Sequence, residues 1–507
     1  MTELTVIPAA NAELPEPRRN RHLINGEWQD SADGAQFERL SPSHLVKASL
    51  SARAGRTETD AAIAAARAAF DDGKWRGMPG KDRATLLNRV ADLIDANRER
   101  IALIEVLESG KPIAQARGEI EGAADLWRFA ASLARTVHGE SHNNLGTEML
   151  GVVLKEPIGV AAIITPWNFP FLIVSQKLPF ALAAGCTAVV KPSEMTPSTT
   201  VILGELLIEA GVPAGVVNIV LGFGDPVGEM MSSDPRVDMV SFTGSTGVGK
   251  RIVAAASGTL KKVSLELGGK NPQVIFPDAD LDAAADAIVF GVYFNMGECC
   301  NSGSRIIVHE DIARALLEKV NALSARVPFG DPLDERTQVG AIISDEHQRK
   351  IDAYVKQAEQ AGARVEIGGA SLGVPGLEGR FYQPTVISGV TPDMAIAREE
   401  VFGPVLSVLT FTEEAEAIRL ANDAAYGLSA GVWSENIHTC LNFARNVQAG
   451  TVWTNTWMDG FAEMPFGGVK ESGQGRELGR YGLEEYLEVK TIQLRVARGR
   501  SFWVRDR

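Results

Sequence analysis

Two adjacent cysteines, Cys299 and Cys300, lie in FNMGECCNSGSR, a run of small and polar residues from Phe294 to Arg305. A structural cysteine usually sits in an apolar stripe. Thiols flanked by glycines and polar residues suit a reactive site at a loop or a helix start, where a thiolate can attack an electrophilic carbon. An inert thiol is the alternative from this segment alone. The other two cysteines, Cys186 and Cys440, stand in more apolar, helix-compatible surroundings and read as packing residues. Glu266, in VSLELGGKNP, ends an apolar strand just before a double-glycine turn. Buried there, its carboxyl would have a raised pKa and could act as a base toward water near neutral pH. Facing solvent from an edge strand, it would do neither. Asn168, in TPWNFP, is an amide held between two prolines and two aromatics, a rigid donor for an oxyanion or else a plain turn residue.

Two glycine clusters follow apolar strands. Gly222 to Gly228 (GFGDPVG) nearly fits the dinucleotide fingerprint, with its last gap one residue too long. FTGSTGVGK, from Phe242 to Lys250, can open a helix whose amide end faces a pyrophosphate, with Ser245 adding a hydroxyl. Gly244 to Lys250 has Walker spacing, but Arg251 stands where magnesium needs a Ser or Thr. Each cluster could equally be a tight turn. Lys191 and Glu194, in KPSE at a strand end, could hold the two hydroxyls of a ribose, or form a solvated charge pair. A Glu there would repel a 2′-phosphate and so favour NAD over NADP.

These residues need elements to position them. From Val160 the chain repeats a strand–helix rhythm. Val160 to Ile164, Ala188 to Lys191, Val217 to Leu221 and Met239 to Thr243 are short apolar strands, and Pro272 to Phe276, Arg305 to His309 and Pro404 to Phe411 resume the pattern. Such alternation predicts parallel sheets with helices on their faces. Before it, His22 to Asp33 reads as a hairpin turning at Asn25-Gly26. The segments from Glu58, Lys81 to Arg98, Ile101 to Ser109 and Ile120 to Val137 have helical periodicity, with a stop at Gly110-Lys111-Pro112. The first twenty residues read as a flexible arm.

The chain has 507 residues, room for roughly three domains at ~150 residues each. Its net charge of -14 disfavours nucleic acid and anionic lipid as partners. Four cysteines without CxxC spacing make neither a disulfide framework nor a thiolate zinc site, and no metal is expected. With no signal-peptide pattern and no apolar run of membrane length, the expected location is the cytoplasm.

TPWNFP, KPSE, FTGSTGVGK, LELGGKNP, GECC, EEVFGPV and PFGGVKESGQGRELGRYGLEEYLEVKT occur in this order. Together they resemble the NAD(P)-dependent aldehyde dehydrogenase superfamily, from about Leu23 to Val496. The resemblance implies an α/β fold: a Rossmann-like cofactor domain (21–137 and 160–266), an α/β catalytic domain (267–481), and a small β oligomerisation hairpin (138–159) with the C-terminal strand and extension (482–507). It implies a homo-oligomer, dimer or tetramer, with the tetramer favoured.

It also implies roles. Cys300 would be the nucleophile, Glu266 the general base, Asn168 the oxyanion amide, and Lys177 a neighbour of that amide. Lys191 and Glu194 would hold the adenosine ribose and Ser245 the pyrophosphate, Trp167 would form part of the cofactor wall, and Glu400 and Phe402 would hold the nicotinamide ribose and ring. Ile164, Thr165, Gly224, Phe242, Gly268 and Lys350 complete the expected cofactor contacts. Phe169, Gln176, Trp457, Phe461 and Phe466 would line the substrate tunnel. The general base favours hydrolysis over transfer to coenzyme A. Gln176, where semialdehyde enzymes tend to carry Arg, disfavours a dicarboxylic semialdehyde. The expected substrate is an aliphatic or aromatic aldehyde. An amino-aldehyde reaching Trp457, Asp459 and Glu463, or a non-catalytic NAD-binding relative, is the alternative. Glu298 departs from the family's frequent Gln. So close to the thiol, it would raise the thiol's pKa or meet a cationic substrate. The basic end from Arg495 to Arg507 would dock on a neighbouring subunit or stay solvated.

Overall fold

The computed structural model describes residues 4–9 and 14–499. Strands that are apolar on both faces must be covered on both faces, and here they form the centres of two sheets. In the first, Val160–Ile164, Thr187–Lys191, Val217–Ile219, Met239–Thr243 and Lys262–Glu266 run parallel. The earliest of the five lies in the middle, flanked by Thr187–Lys191 on one side and Met239–Thr243 on the other. The chain therefore reverses its winding direction between Val160–Ile164 and Met239–Thr243. At such a switch point the carboxyl ends of the strands open a crevice. The hairpin His22–Ile24/Glu27–Gln29 extends one edge, its turn made by Asn25 and Gly26 at φ 52° and 81°.

The second sheet is ordered Arg364–Ile367, Thr385–Ser388, Val405–Phe411, Arg305–His309, Pro272–Ile275, Ser429–Trp433, Thr451–Thr454, and all but the first strand run parallel. Gly268 to Asn271 leads from the carboxyl end of Lys262–Glu266 in one sheet to the amino end of Pro272–Ile275 in the other. The facing ends of the two sheets thus share one connection, and Glu266 is at its start.

Met149–Pro157 pairs antiparallel with the C-terminal strand Leu487–Arg495 along its whole length, with Glu140–His142 outside it. The helices fall at Gly80–Ala96, Arg98–Ser109 and Ile113–Ala134. Gly110, at φ 83°, ends the second of these, and Pro112 precedes the third, so that helix begins seven residues before the expected Ile120.

Two expectations need correction. The first twenty residues are not a free arm where the structure describes them. Val6–Ile7 pairs in parallel with Phe329–Gly330, burying Ile7, and Arg18–Asn20 pairs with Lys47–Ala52. The boundary at 266 is also crossed, because Gly473–Gln474 returns to the first sheet antiparallel to Lys262–Glu266. The expected docking of the C-terminal extension falls largely on 500–507, outside the described residues.

Candidate active site

The helix Pro170–Ala184 opens with proline at its first position and is buried on nearly every side. It fixes Asn168 just before its start and carries Lys177 inward. Asn168 is buried, and its Nδ2 donates to the main-chain oxygen of Glu298 at 3.0 Å. Asn295 Nδ2 donates to the oxygens of both Asn168 and Glu298, each at 3.0 Å. The amide predicted from TPWNFP is thus locked to the turn that leads into the cysteines. That turn is unusual: Asn295, Met296 and Gly297 all have positive φ, at 50°, 58° and 70°. Left-handed conformations at the two non-glycine residues cost ~1–3 kcal/mol each and persist only where the surroundings impose them.

The two thiols differ. Cys299 is buried with its Sγ donating to Asn301 Oδ1 at 2.7 Å, while Cys300 is only partly buried. The main-chain oxygen of Cys300 accepts from Asn271 Nδ2 at 2.9 Å. A Cβ on Gly269 would lie 2.5 Å from that same oxygen, so glycine here lets the strand connection touch the thiol loop. The Cys300 thiol is pushed well up by its hydrogen bond with the Cys299 side chain, then by burial and by the charges of Cys299, Glu400 and Glu266. The leading causes are Cys299 and burial rather than Glu298. Its carboxyl is 1% exposed and accepts from the Ile343 N–H at 3.0 Å, so it does not face a cationic substrate either.

Glu266 is buried at its strand's end, and neither carboxylate oxygen meets a donor among the described residues. Desolvation pushes its pKa well above the usual carboxylate range. Glu477 adds to the shift, and Lys177 and Arg476 oppose it. A Cβ on Gly467 would come within 2.6 Å of Glu266 Oε1, so a larger residue would press on the carboxylate. Lys177 is buried, donates to Ser241 Oγ at 3.1 Å and is ion-paired with Glu477. Glu477 was not foreseen, and only its place in the C-terminal motif could have signalled it.

The cofactor candidates gather along the switch-point crevice. Ile164 and Thr165, Lys191, and Phe242 to Ser245 all sit at carboxyl ends of the parallel strands. Ser245 precedes the helix Thr246–Ala256 without a side-chain cap, which leaves that helix's amide end open. Among the described residues, Thr165 Oγ1 and Thr243 Oγ1 are buried without partners, and a Cβ on Gly224 would meet nothing within 4 Å. Lys191 Nζ is 3.6 Å from Glu194. These open donors and acceptors, beside a helix amide end, fit a dinucleotide.

On the other side, Gly269 N–H donates to Glu400 Oε1 at 3.1 Å, and a Cβ on Gly268 would clash with the same carboxylate at 2.4 Å. Burial pushes Glu400 up to about 7, opposed by the Gly269 amide and by Lys350 and Lys270. Lys350 Nζ reaches the Glu400 carbonyl at 3.3 Å. Phe402, at φ 60°, meets the Trp167 ring edge-on at 5.4 Å. His347 joins them, 5.6 Å from Trp167 and with Nε2 2.6 Å from the Phe402 carbonyl oxygen. The sequence reading missed it, although it lies one helical turn before Lys350.

The tunnel candidates divide. Phe169 stacks with Phe294 at 6.0 Å beside Asn168, Gln176 is half-buried on its helix, and Phe466 is half-buried next to Gly467. Phe461 is 63% exposed. Trp457 needs correction: it is 4% exposed, and its indole fills space left by Gly291, Gly303 and Gly431, which makes it a packing residue beneath the thiol loop. Asp459 and Glu463 are exposed, with Asp459 hydrogen-bonded to Thr456.

A nucleophile candidate, a base candidate and an amide candidate thus meet where a dinucleotide crevice ends. Comparison with known proteins agrees. The model of the aldehyde dehydrogenase family matches residues 28–492. Betaine aldehyde dehydrogenase of Bacillus subtilis (strain 168) is 43% identical over 93% of this chain and 96% of its own. Aldehyde dehydrogenase 1A1 of Gallus gallus is 43% identical over 98% of each chain. Among solved structures, an NAD-dependent aldehyde dehydrogenase from Sinorhizobium meliloti is 51% identical, covers 98% of this chain and 99% of its own, and superposes with a TM-score of 0.96. Betaine aldehyde dehydrogenase of Staphylococcus aureus in complex with NAD+ is 39% identical over 96% of this chain and 97% of its own, with a TM-score of 0.94. The chain belongs to the aldehyde dehydrogenase family. Its reaction is the NAD-dependent oxidation of an aldehyde to a carboxylic acid.

Proposed function

We propose that Cys300, Asn168 and Glu266 carry this reaction and that its substrate is an uncharged aliphatic or aromatic aldehyde. Cys300 Sγ adds to the carbonyl carbon, and its proton leaves to solvent. The oxygen that becomes negative is held by Asn168 Nδ2 and the Cys300 N–H. An oxyanion donor of this kind contributes ~3–4 kcal/mol. NAD, when bound, would supply the two-electron acceptor for the hydride lost from that carbon; Lys191 and Glu194 would hold its adenosine ribose, Ser245 its pyrophosphate, and Glu400 and Phe402 its nicotinamide end. Glu266, with no donor to satisfy its oxygens, takes a proton from water, and the hydroxide cleaves the thioester on Cys300 to release the acid and the thiol.

One observation carries the choice of an uncharged substrate. The Lys111 ammonium, held by Glu105 and Glu119, sits 4.6 Å over the Phe169 ring. That aromatic wall already has a cation on it, so a quaternary ammonium substrate gains little from it. A panel scored by NADH absorbance tests this: kcat/KM for alkyl or aromatic aldehydes should exceed that for a trimethylammonium aldehyde at least ~10-fold. Equal or reversed preference sinks the substrate assignment.

The unpaired edge strands and the exposed Val489, Leu494 and Val496 of the C-terminal ribbon support a homo-oligomer, with the tetramer favoured. Light scattering on the purified protein distinguishes monomer, dimer and tetramer. Four free thiols suit a reducing compartment such as the cytoplasm. We assign 21–137 and 160–266 to a cofactor unit and 267–481 to a catalytic one, with Gly473–Gln474 returning to the first sheet.

A further inference from the structure

Glu298 is a buried acid that the mechanism above does not use. Its main-chain oxygen accepts from Asn168 and Asn295, so it belongs to the oxyanion side of the site. Its side chain reaches the opposite way. Oε1 accepts from the Ile343 N–H at 3.0 Å and lies 3.7 Å from His347 Nε2. His347 Nε2 in turn donates to the Phe402 carbonyl, and the rings of His347 and Phe402 both pack on Trp167, the residue before Asn168. The contacts close a ring: Asn168, Glu298, His347, Phe402, Trp167 and back to Asn168. The loops touch directly as well, since a Cβ on Gly297 would lie 2.2 Å from the Gly403 carbonyl oxygen. Both loops hold left-handed non-glycine residues, Asn295 and Met296 on one and Phe402 on the other. Such conformations relax when their support is removed.

We propose that Glu298 is a positioning residue that holds the thiol loop in register with the Phe402 loop. It would set the carbon bound to Cys300 against the hydride acceptor without touching either. This rests on the assignment of Cys300 as nucleophile. Burial pushes the Glu298 carboxyl well above its usual range, against the Ile343 amide and the charges of Arg39 and Lys111. Burial also takes His347 down to about 4. Burial disfavours the charged form of both members of the contact, so a glutamine matches Glu298 in shape and keeps the acceptor for Ile343.

The test compares Glu298→Gln, Glu298→Asp and Glu298→Ala in three measurements: the pre-steady-state NADH burst, the Kd for NAD by calorimetry, and the hydrolysis of p-nitrophenyl acetate without NAD. The ester reaction needs Cys300, Asn168 and Glu266 but no hydride acceptor. The expected result is that Ala and Asp slow the burst at least ~10-fold and weaken NAD binding several-fold, while ester hydrolysis stays within ~3-fold and Gln restores all three. Equal loss of burst and ester hydrolysis overturns the proposal, because it marks general damage to the site. Failure of Gln to rescue overturns the acceptor role, and unchanged burst and Kd in the Ala variant overturn any role. Ester hydrolysis by Cys300→Ala at the wild-type rate would instead refute the nucleophile assignment.

Discussion

Glu266 and Glu108 are both buried carboxylates, and they are treated in opposite ways. Glu108 sits near the end of Arg98–Ser109. It accepts from the hydroxyls of Ser49 and Ser198 and from the Ser198 N–H at 3.0 Å, so three separate segments are tied through it. Burial raises its pKa, but each of these donors pulls it back. Among the described residues Glu266 has no donor on either oxygen, and its second-largest influence is the repulsion of Glu477. An acid surrounded by donors is fastened and serves the fold. An acid left without them keeps its basicity, at a cost in stability, and can take a proton from water. That difference sets the proposed base apart from a structural acid; Glu105, likewise buried without a hydrogen-bond donor among the described residues, is instead ion-paired with Lys111 at 2.7 Å.

The largest expected effect removes the group that Glu266 serves. Cys300→Ala should lower aldehyde oxidation by at least ~10⁴-fold with the fold intact, measured as steady-state NADH formation alongside circular dichroism. Next, Glu266→Gln should slow turnover by ~10²–10⁴-fold while leaving a burst of NADH close to one per active site, because only thioester hydrolysis needs the base. A lost burst would place Glu266 earlier in the reaction and undo its contrast with Glu108. Glu108→Ala tests the other side. It strands two hydroxyls and an amide in the interior and should cost ~3 kcal/mol in denaturant unfolding, with kcat near wild type.

A smaller effect sharpens the same contrast through pH. The folded pKa of Glu266 is raised, so the folded state keeps a proton that the unfolded state loses above its ordinary carboxylate value. The stability advantage of the protonated group is complete below that value and is lost as pH rises toward and through the folded pKa. Glu266→Gln removes the titration. Its melting temperature should match wild type near pH 4 and exceed it by ~1–3 °C at pH 8. A constant difference across that range would mean that Glu266 is not the group titrating. In the same wild-type protein, thioester hydrolysis should accelerate as pH rises through the Glu266 pKa.

Local motifs made much of this site legible. Glu266, Asn168 and Cys300 each lie in a short segment whose composition is odd for its surroundings, and the strand–helix rhythm located the crevice. Partners remote in sequence were not legible. Lys177 pairs with Glu477, 300 residues away, and no periodicity connects them. Trp457 was placed on the tunnel wall by the family resemblance alone. Its burial is decided by three distant glycines that leave room for the indole. Ser429–Trp433 was missed as a strand because its small residues, packed against that indole, weaken the apolar run. Ile7 escaped because two residues of β pairing carry no pattern, and only the groove at Phe329–Gly330 makes the pairing worthwhile.

The two cysteines give the smallest and finest test. Cys299 is the largest cause of the raised Cys300 pKa, ahead of burial. Removing its thiol should therefore lower the Cys300 pKa rather than disable it. In Cys299→Ala, kcat should change by no more than ~2-fold. The acid limb of kcat/KM, and the pH dependence of alkylation by iodoacetamide, should both move to lower pH, because thiolate forms earlier. A shift to higher pH would mean that Cys299 stabilises the thiolate. Loss of activity with alkylation still at one site would transfer the nucleophile's role to Cys299. Neither outcome is compatible with a Cys299 that is buried and bonded to Asn301 while Cys300 stays partly open.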